Sequence, residues 1–142
     1  MSGDFLRASE FFLYAMERCE PDSEGWANGA LGAWNGRRNA AACGSRHLFC
    51  DCQRCAALPE KPAWMASPEA LVVTAERVVA ARPEAPTAWE MHGVAHWGTD
   101  WSMASKSFMK AAKLSGESGD VESKARYSKA ARRCLEQLRA NS

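Results

Sequence analysis

Between its prolines this chain repeats one pattern, apolar residues three and four positions apart, and that spacing suits helices and little else. It predicts a helix from Asp4 to Cys19, with Phe5, Ala8, Phe12, Ala15, Met16 and Cys19 on one face. Leu6, Phe11, Leu13 and Tyr14 widen that face enough to predict two packing neighbours. Pro21 and the turn-like Asp22-Ser23-Glu24-Gly25 end the helix. Trp26 to Trp34 follows, stopped by Asn35-Gly36. Its interior glycines, Gly29 and Gly32, each cost about 1 kcal/mol relative to alanine, a cost that makes sense where another helix must come close. Arg37 to Ala42 begins a further helical stretch that Cys43-Gly44 breaks.

Pro59, Pro62 and Pro68 forbid a long helix and predict an extended connector from 56 to 67. Ser67-Pro68-Glu69 then reads as a helix start: a capping serine, a proline at the first helical position and an early acid. Leu71, Ala75, Val78 and Val79 carry that helix to Arg82-Pro83. Thr87 is placed to cap the next helix, which carries Trp89, Gly93, Ala95, His96 and Trp97 and stops at Gly98. Asp100 caps another, with Trp101, Ala104, Phe108, Ala111, Ala112 and Leu114 as its stripe. After a turn from Gly116 to Gly119, Asp120 caps a last helix with a stripe of Val121, Ala125, Ser128, Ala131, Leu135 and Leu138. No segment alternates as a strand would. The expected fold is all-α with a Cys-rich insert. Its expected parts are N-terminal helices over 1–42, a Cys-rich segment and proline-rich connector over 43–67, and a helical module over 68–142.

Composition narrows the function classes. A chain of 142 residues, 46% hydrophobic and 25% charged, has the make-up of one folded domain rather than a disordered segment. Its net charge of +1 gives no overall field toward nucleic acid or anionic membrane, so neither is an expected partner. The N-terminus has no signal-peptide pattern, and no apolar run approaches the ~20 residues that span a bilayer. A soluble intracellular protein, cytoplasmic or nuclear, is expected.

The densest chemistry is Cys50-Asp51-Cys52-Gln53-Arg54-Cys55, three thiols in six positions. In a reducing compartment clustered cysteines are metal ligands or free thiols more often than disulfides. Cys52 and Cys55 have the two-residue gap that turns both sulfurs toward one metal, Cys50 is near enough to be a third ligand, and His47 or Cys43 would complete a tetrahedral structural Zn2+ site. Arg54 beside these thiols favours their ionised form. Free thiols and, less favoured, disulfides are the alternatives. His92 and His96 stand one helical turn apart, a spacing that lets two imidazoles share a metal. With no third ligand evident, packing or solvent exposure is the favoured reading of that pair. Cys19 and Cys134 fall on apolar stripes and read as small buried residues. Lys124, Arg126, Lys129, Arg132, Arg133 and Arg139 make the last helix basic, a solvated face first and an acidic-peptide surface second. No catalytic nucleophile motif accompanies the three histidines.

Two stretches resemble each other: Trp26 to Trp34 and Trp89 to Trp97 each carry tryptophans eight apart around small central residues, followed by a turn residue. Trp89, Gly93 and His96, with Ala104, Phe108 and Ala111 one residue early and Pro83 before them, resemble a tetratricopeptide repeat; His92 and His96 stand where that family has leucine and tyrosine. The resemblance implies antiparallel helical hairpins that stack and present a groove to a protein or peptide, built here around Trp89 to Leu114 with Trp89, Trp97 and Trp101 as framework. Separately, Cys50-x-Cys52-x-x-Cys55 followed by helices resembles the post-SET zinc segment of SET–MYND protein lysine methyltransferases, although that family's catalytic motifs are absent. The leading expectation is a non-enzymatic interaction module braced by a zinc or thiol cluster. A non-catalytic remnant or fragment of a SET–MYND-like enzyme, and a redox-sensing thiol protein, are the alternatives.

Overall fold

The computed structural model describes residues 2–41, 49 and 52–141. Its helices are α1 (Ser2–Glu17), α2 (Glu24–Asn39), the single turn α3 (Gln53–Ala56), a 3-10 turn at Ala63–Met65, α4 (Pro68–Ala81), α5 (Pro86–His96), α6 (Trp101–Glu117) and α7 (Val121–Ala140). Among the described residues there is no strand, and the chain is all-α as its periodicity predicts. No described helix is long and apolar enough to cross a membrane. The chain divides into two compact units, Met1–Ala81 and Arg82–Ser142.

In the first unit α1 and α2 form an antiparallel hairpin whose contact is made by glycines. A side chain at Gly29 would meet the Met16 backbone at 2.9 Å, one at Gly32 would meet the Phe12 ring, and one at Gly36 would meet the Phe5 carbonyl oxygen at 2.9 Å and the Ser9 nitrogen at 3.0 Å. As the contact climbs α2 it descends α1, so these glycines trade helix propensity for close approach, of the α1 backbone at Gly29 and Gly36 and of the Phe12 ring at Gly32. This explains why Asn35-Gly36 does not end the helix as expected: Gly36 is an interface position, and α2 runs on to Asn39. Buried Ser9 ties the two helices by donating its hydroxyl to the Ala33 carbonyl at 2.7 Å. Ser23, not a glycine or proline, starts α2, its side chain accepting from the Trp26 amide.

The widened face expected of α1 is not covered. Phe12 and Met16 face α2, and Phe11 and Tyr14 project to the far side of the helix, 65% and 57% exposed. The physical reason is angular. At about 100° per residue, Phe11 and Tyr14 lie well over 90° from the centre of the Ser9, Phe12 and Met16 face, beyond the reach of one partner helix. α4 starts on the expected cap, with the Ala70 amide donating to Ser67 Oγ at 3.2 Å, and buries Leu71, Thr74, Ala75, Val78 and Val79. Arg77 reaches the α1–α2 turn, pairing with Asp22 at 2.6 Å and lying 4.4 Å from the centre of the Trp26 ring.

In the second unit α5, α6 and α7 run back and forth through short turns. Gly98 and Gly119, at φ of +87° and +84°, take the left-handed backbone those turns need. Asp100 and Asp120 cap α6 and α7 as predicted, accepting from the amides of Met103 and Ser123. Thr87 is not the N-cap: α5 begins two residues earlier than that cap implies, at Pro86 after Ala85, and the fixed φ of Pro86 suits a first helical position. The core is Ala104, Phe108, Ala111, Ala112, Tyr127, Ala131 and Cys134, with Trp89, Val94 and Trp101 packed on it. Gly93 admits the Phe108 ring; a side chain there would meet its Cε2 at 2.8 Å. α7 is rotated from the expected stripe, because it buries Tyr127, Ala131 and Cys134 and leaves Val121, Leu135 and Leu138 exposed. A buried polar contact fixes the rotation: the Tyr127 hydroxyl donates to Oε1 of buried Glu90 at 2.9 Å.

Replacing Gly36 by alanine adds about 1 kcal/mol of helix propensity but drives a methyl into immovable backbone, so a net loss of roughly 1–3 kcal/mol is expected in urea unfolding. Gly3→Ala is the control, because a side chain there meets nothing within 4 Å. It should be neutral or stabilising.

Candidate functional site

Three places bring chemistry-bearing residues together: the thiols of α3, the polar contacts of α5 with α6 and α7, and the outer face of α1. At the first, Cys52 precedes α3 as its N-cap residue and Cys55 lies in its single turn, both half-buried and neither in a disulfide among the described residues. Cys43, His47 and Cys50, the other expected ligands, lie outside the described residues. Cys55 interacts electrostatically with Arg37 and Lys61. Burial lowers the Lys61 ammonium below its ordinary range, nearby Arg37 lowers it further, and Cys55 opposes both. Arg37 is likewise lowered by burial and held up by Cys55. The cations beside this thiol therefore come from the end of α2 and from the proline-rich connector, while the neighbour in sequence, Arg54, is exposed. Sequence distance concealed Arg37 and Lys61. Cations at this range favour thiolate over thiol, which serves metal ligation and thiol reactivity alike.

The second place is the contact face of α5. His92 is 3% exposed, and its Nδ1 lies 2.5 Å from Ser107 Oγ on α6. The Ser107 hydroxyl also reaches the Met103 carbonyl at 3.0 Å as a donor. With that proton on the carbonyl, Ser107 is an acceptor for a His92 tautomer protonated at Nδ1; with the proton turned to His92, Ser107 is the donor. His96, one turn on, stacks edge to face on His92 with ring centres 4.7 Å apart, and Trp89 packs on the other side of His92 at 5.9 Å. On the same helix Glu90 is 8% exposed and takes the Tyr127 hydroxyl, which in turn accepts from Arg126 at 3.3 Å. Burial and the Glu90 carboxylate push the Tyr127 phenol up to about 12. Burial pushes the Cys134 thiol up to about 11, and Cys134 is the small buried residue its stripe predicts. Trp97, Trp101 and Phe108 stack edge to face, so the tryptophans of this unit pack on one another and on the core.

The third place is the uncovered face of α1, where Arg7, Phe11, Tyr14 and Arg18 follow one another at helical spacing and all four are exposed. Arg18 lies over the Tyr14 ring at 3.2 Å and donates to the Tyr14 carbonyl at 3.1 Å. Phe11 and Phe12 meet edge to face at 5.5 Å. On the inner side of the same unit, a cleft of about 270 Å³ opens between Leu13, Met16, Cys19, Trp26, Pro62 and Trp64.

No family model matches this chain, and neither a curated protein nor a solved structure matches it.

The Tyr127–Glu90 contact makes a checkable statement about alkaline pH. The phenol is protonated in the folded state up to about 12, against 10.0 for an ordinary tyrosine. Stability from this group is therefore complete below pH 10 and lost as pH rises toward 12. Tyr127→Phe should cost about 1–3 kcal/mol at neutral pH, since it leaves a buried carboxylate short of a donor. Denaturant titrations should also show the decline between pH 10 and 12 reduced in the variant, with the Cys134 contribution between 9.0 and about 11 remaining.

Proposed function

We propose that this chain is a non-enzymatic interaction module in which short helical hairpins of tetratricopeptide-like type hold a recognition face toward a protein partner. The observation that carries the proposal is the row Arg7, Phe11, Tyr14, Arg18 on the outer side of α1, where Phe11 and Tyr14 are 65% and 57% exposed. Aromatic and arginine side chains are the types that dominate binding energy at protein interfaces, because they bury large area at small entropic cost and reach charged partners. Stacking of Arg18 on Tyr14 holds both side chains in place before binding. The two arginines bracket the aromatics, so the complementary partner is an amphipathic segment whose apolar residues are flanked by acids. This moves the expected contact surface from the helices around Trp89 to Leu114, whose tryptophans are occupied in packing, to α1.

A peptide-display selection against the whole chain tests this reading. Acidic amphipathic sequences should be enriched, and binding of the winners should fall at least tenfold in the Phe11→Ser, Tyr14→Ser double variant. Enrichment of no such class, or winners that bind the double variant as well as the parent, would overturn it.

The same reading gives the Cys-rich segment a structural part. Cys50, Cys52 and Cys55, completed by His47 or Cys43, hold a zinc ion that ties α3 to the end of α2. The half-buried pair Cys52 and Cys55 at the start of a single helical turn supports this, as do Arg37 and Lys61 beside Cys55. Protein purified under reducing conditions should contain one equivalent of zinc that Cys52→Ser loses, with a lower melting temperature. Metal-free protein whose melting temperature is unchanged in Cys52→Ser would contradict it.

A further inference from the structure

We infer that His92 and His96 form a second metal site, separate from the cysteines, which takes a borderline divalent transition ion such as Zn2+ through two imidazole nitrogens. Four observations meet here. The residues are four apart on α5, so they share a face one turn apart. A ring nitrogen of His92 and one of His96 lie within 4.8 Å of each other. Two nitrogens bound to one tetrahedral zinc are about 3.4 Å apart, given zinc–nitrogen distances of about 2.0–2.1 Å, so a modest tilt of the rings closes the site. The rings already meet at 65° with centres 4.7 Å apart, an arrangement that a tilt can bring to convergence without a change of helix geometry.

The most informative observation is Ser107. A histidine ligand is normally oriented by a partner on its other nitrogen, which fixes the tautomer and raises the basicity of the ligating nitrogen. Ser107 does this for His92. With its own proton on the Met103 carbonyl, it accepts the His92 Nδ1–H and leaves Nε2 as the donor to a metal. That ring is held from two sides, by Ser107 on α6 and by Trp89, one turn earlier on α5. His96 is half-buried as a residue while its Nε2 is shielded from solvent, and the remaining coordination positions are left to water or other oxygen donors. A packing role alone would be met by leucine and tyrosine at these positions and would not require a tautomer to be fixed.

The test is a zinc titration of the reduced 142-residue chain with 15N-labelled histidine side chains, read by the ring resonances. Both rings should shift and saturate together, with the His92 Nδ1–H retained and its Nε2 signal moved to the metal-bound range. His96→Ala should weaken the binding at least tenfold, and Ser107→Ala tenfold or more, the usual effect of losing such an orienting partner. Neither substitution touches the cysteines, and loss of zinc from Cys52→Ser would leave these ring shifts in place, so failure of one site is distinguishable from failure of the other. Unchanged imidazole resonances at millimolar zinc, or affinity in His96→Ala equal to that of the parent, would overturn the inference.

Discussion

Close approach of helices through small residues is the constraint on which both units depend. In the first, Gly29 and Gly36 let the α1 backbone lie against α2, about 3 Å from where their side chains would stand, and Gly32 admits the Phe12 ring. In the second, Gly93 admits Phe108, and α6 offers Ala104, Ser105, Ser107, Ala111, Ala112 and Ser115 as its buried face. Interfaces made this way gain dispersion from dense backbone packing and give up the large transfer energy of big side chains. They are also intolerant, because a methyl added at the contact has nowhere to go.

That constraint decides where function sits. A helix pair that meets through glycine leaves no room between the helices for bulky aromatics beyond those in direct register. Phe12 and Met16 fit the register and Phe11 and Tyr14 do not, so the latter stand outside as exposed side chains with an arginine stacked on one of them. In the second unit the same closeness brings polar groups within hydrogen-bond range across helices: His92 to Ser107 and Glu90 to Tyr127. Buried polar contacts of this kind must be satisfied, and once satisfied they set rotation and register. The Tyr127–Glu90 bond is why α7 turns Cys134 inward and Leu135 outward.

Much of the fold was legible in the sequence, and the reasons for the misses are particular. Ser67, Asp100 and Asp120 announced three helix starts because a capping side chain acts on amides only three residues away. Gly98 announced the end of α5 because few other residues take positive φ. Asn35-Gly36 misled, since a glycine chosen for tertiary approach looks the same in sequence as one chosen for a stop. The apolar stripe of α7 misled because periodicity counts Leu135 and Val121 as buried, whereas a tyrosine with a distant carboxylate partner fixed the rotation. At the candidate sites, the His92–His96 spacing could be read directly, but the orienting Ser107 lies fifteen residues on and is invisible to spacing. Arg37 and Lys61 beside Cys55 were hidden in the same way, and Phe11 and Tyr14 were read as part of a wider core face because periodicity does not say how many neighbours a helix has.

The central claim is that α1 packs on α2 along the glycine stripe, with Ser9 bonded to Ala33, and keeps Phe11 and Tyr14 exposed. Nuclear Overhauser contacts in solution measure this most directly. The α-protons of Gly32 and Gly36 should show contacts to the Phe12 ring and to Ser9, while the rings of Phe11 and Tyr14 show none beyond their own helix. Contacts from Phe11 or Tyr14 to α2, with those from Gly32 and Gly36 missing, would contradict the account.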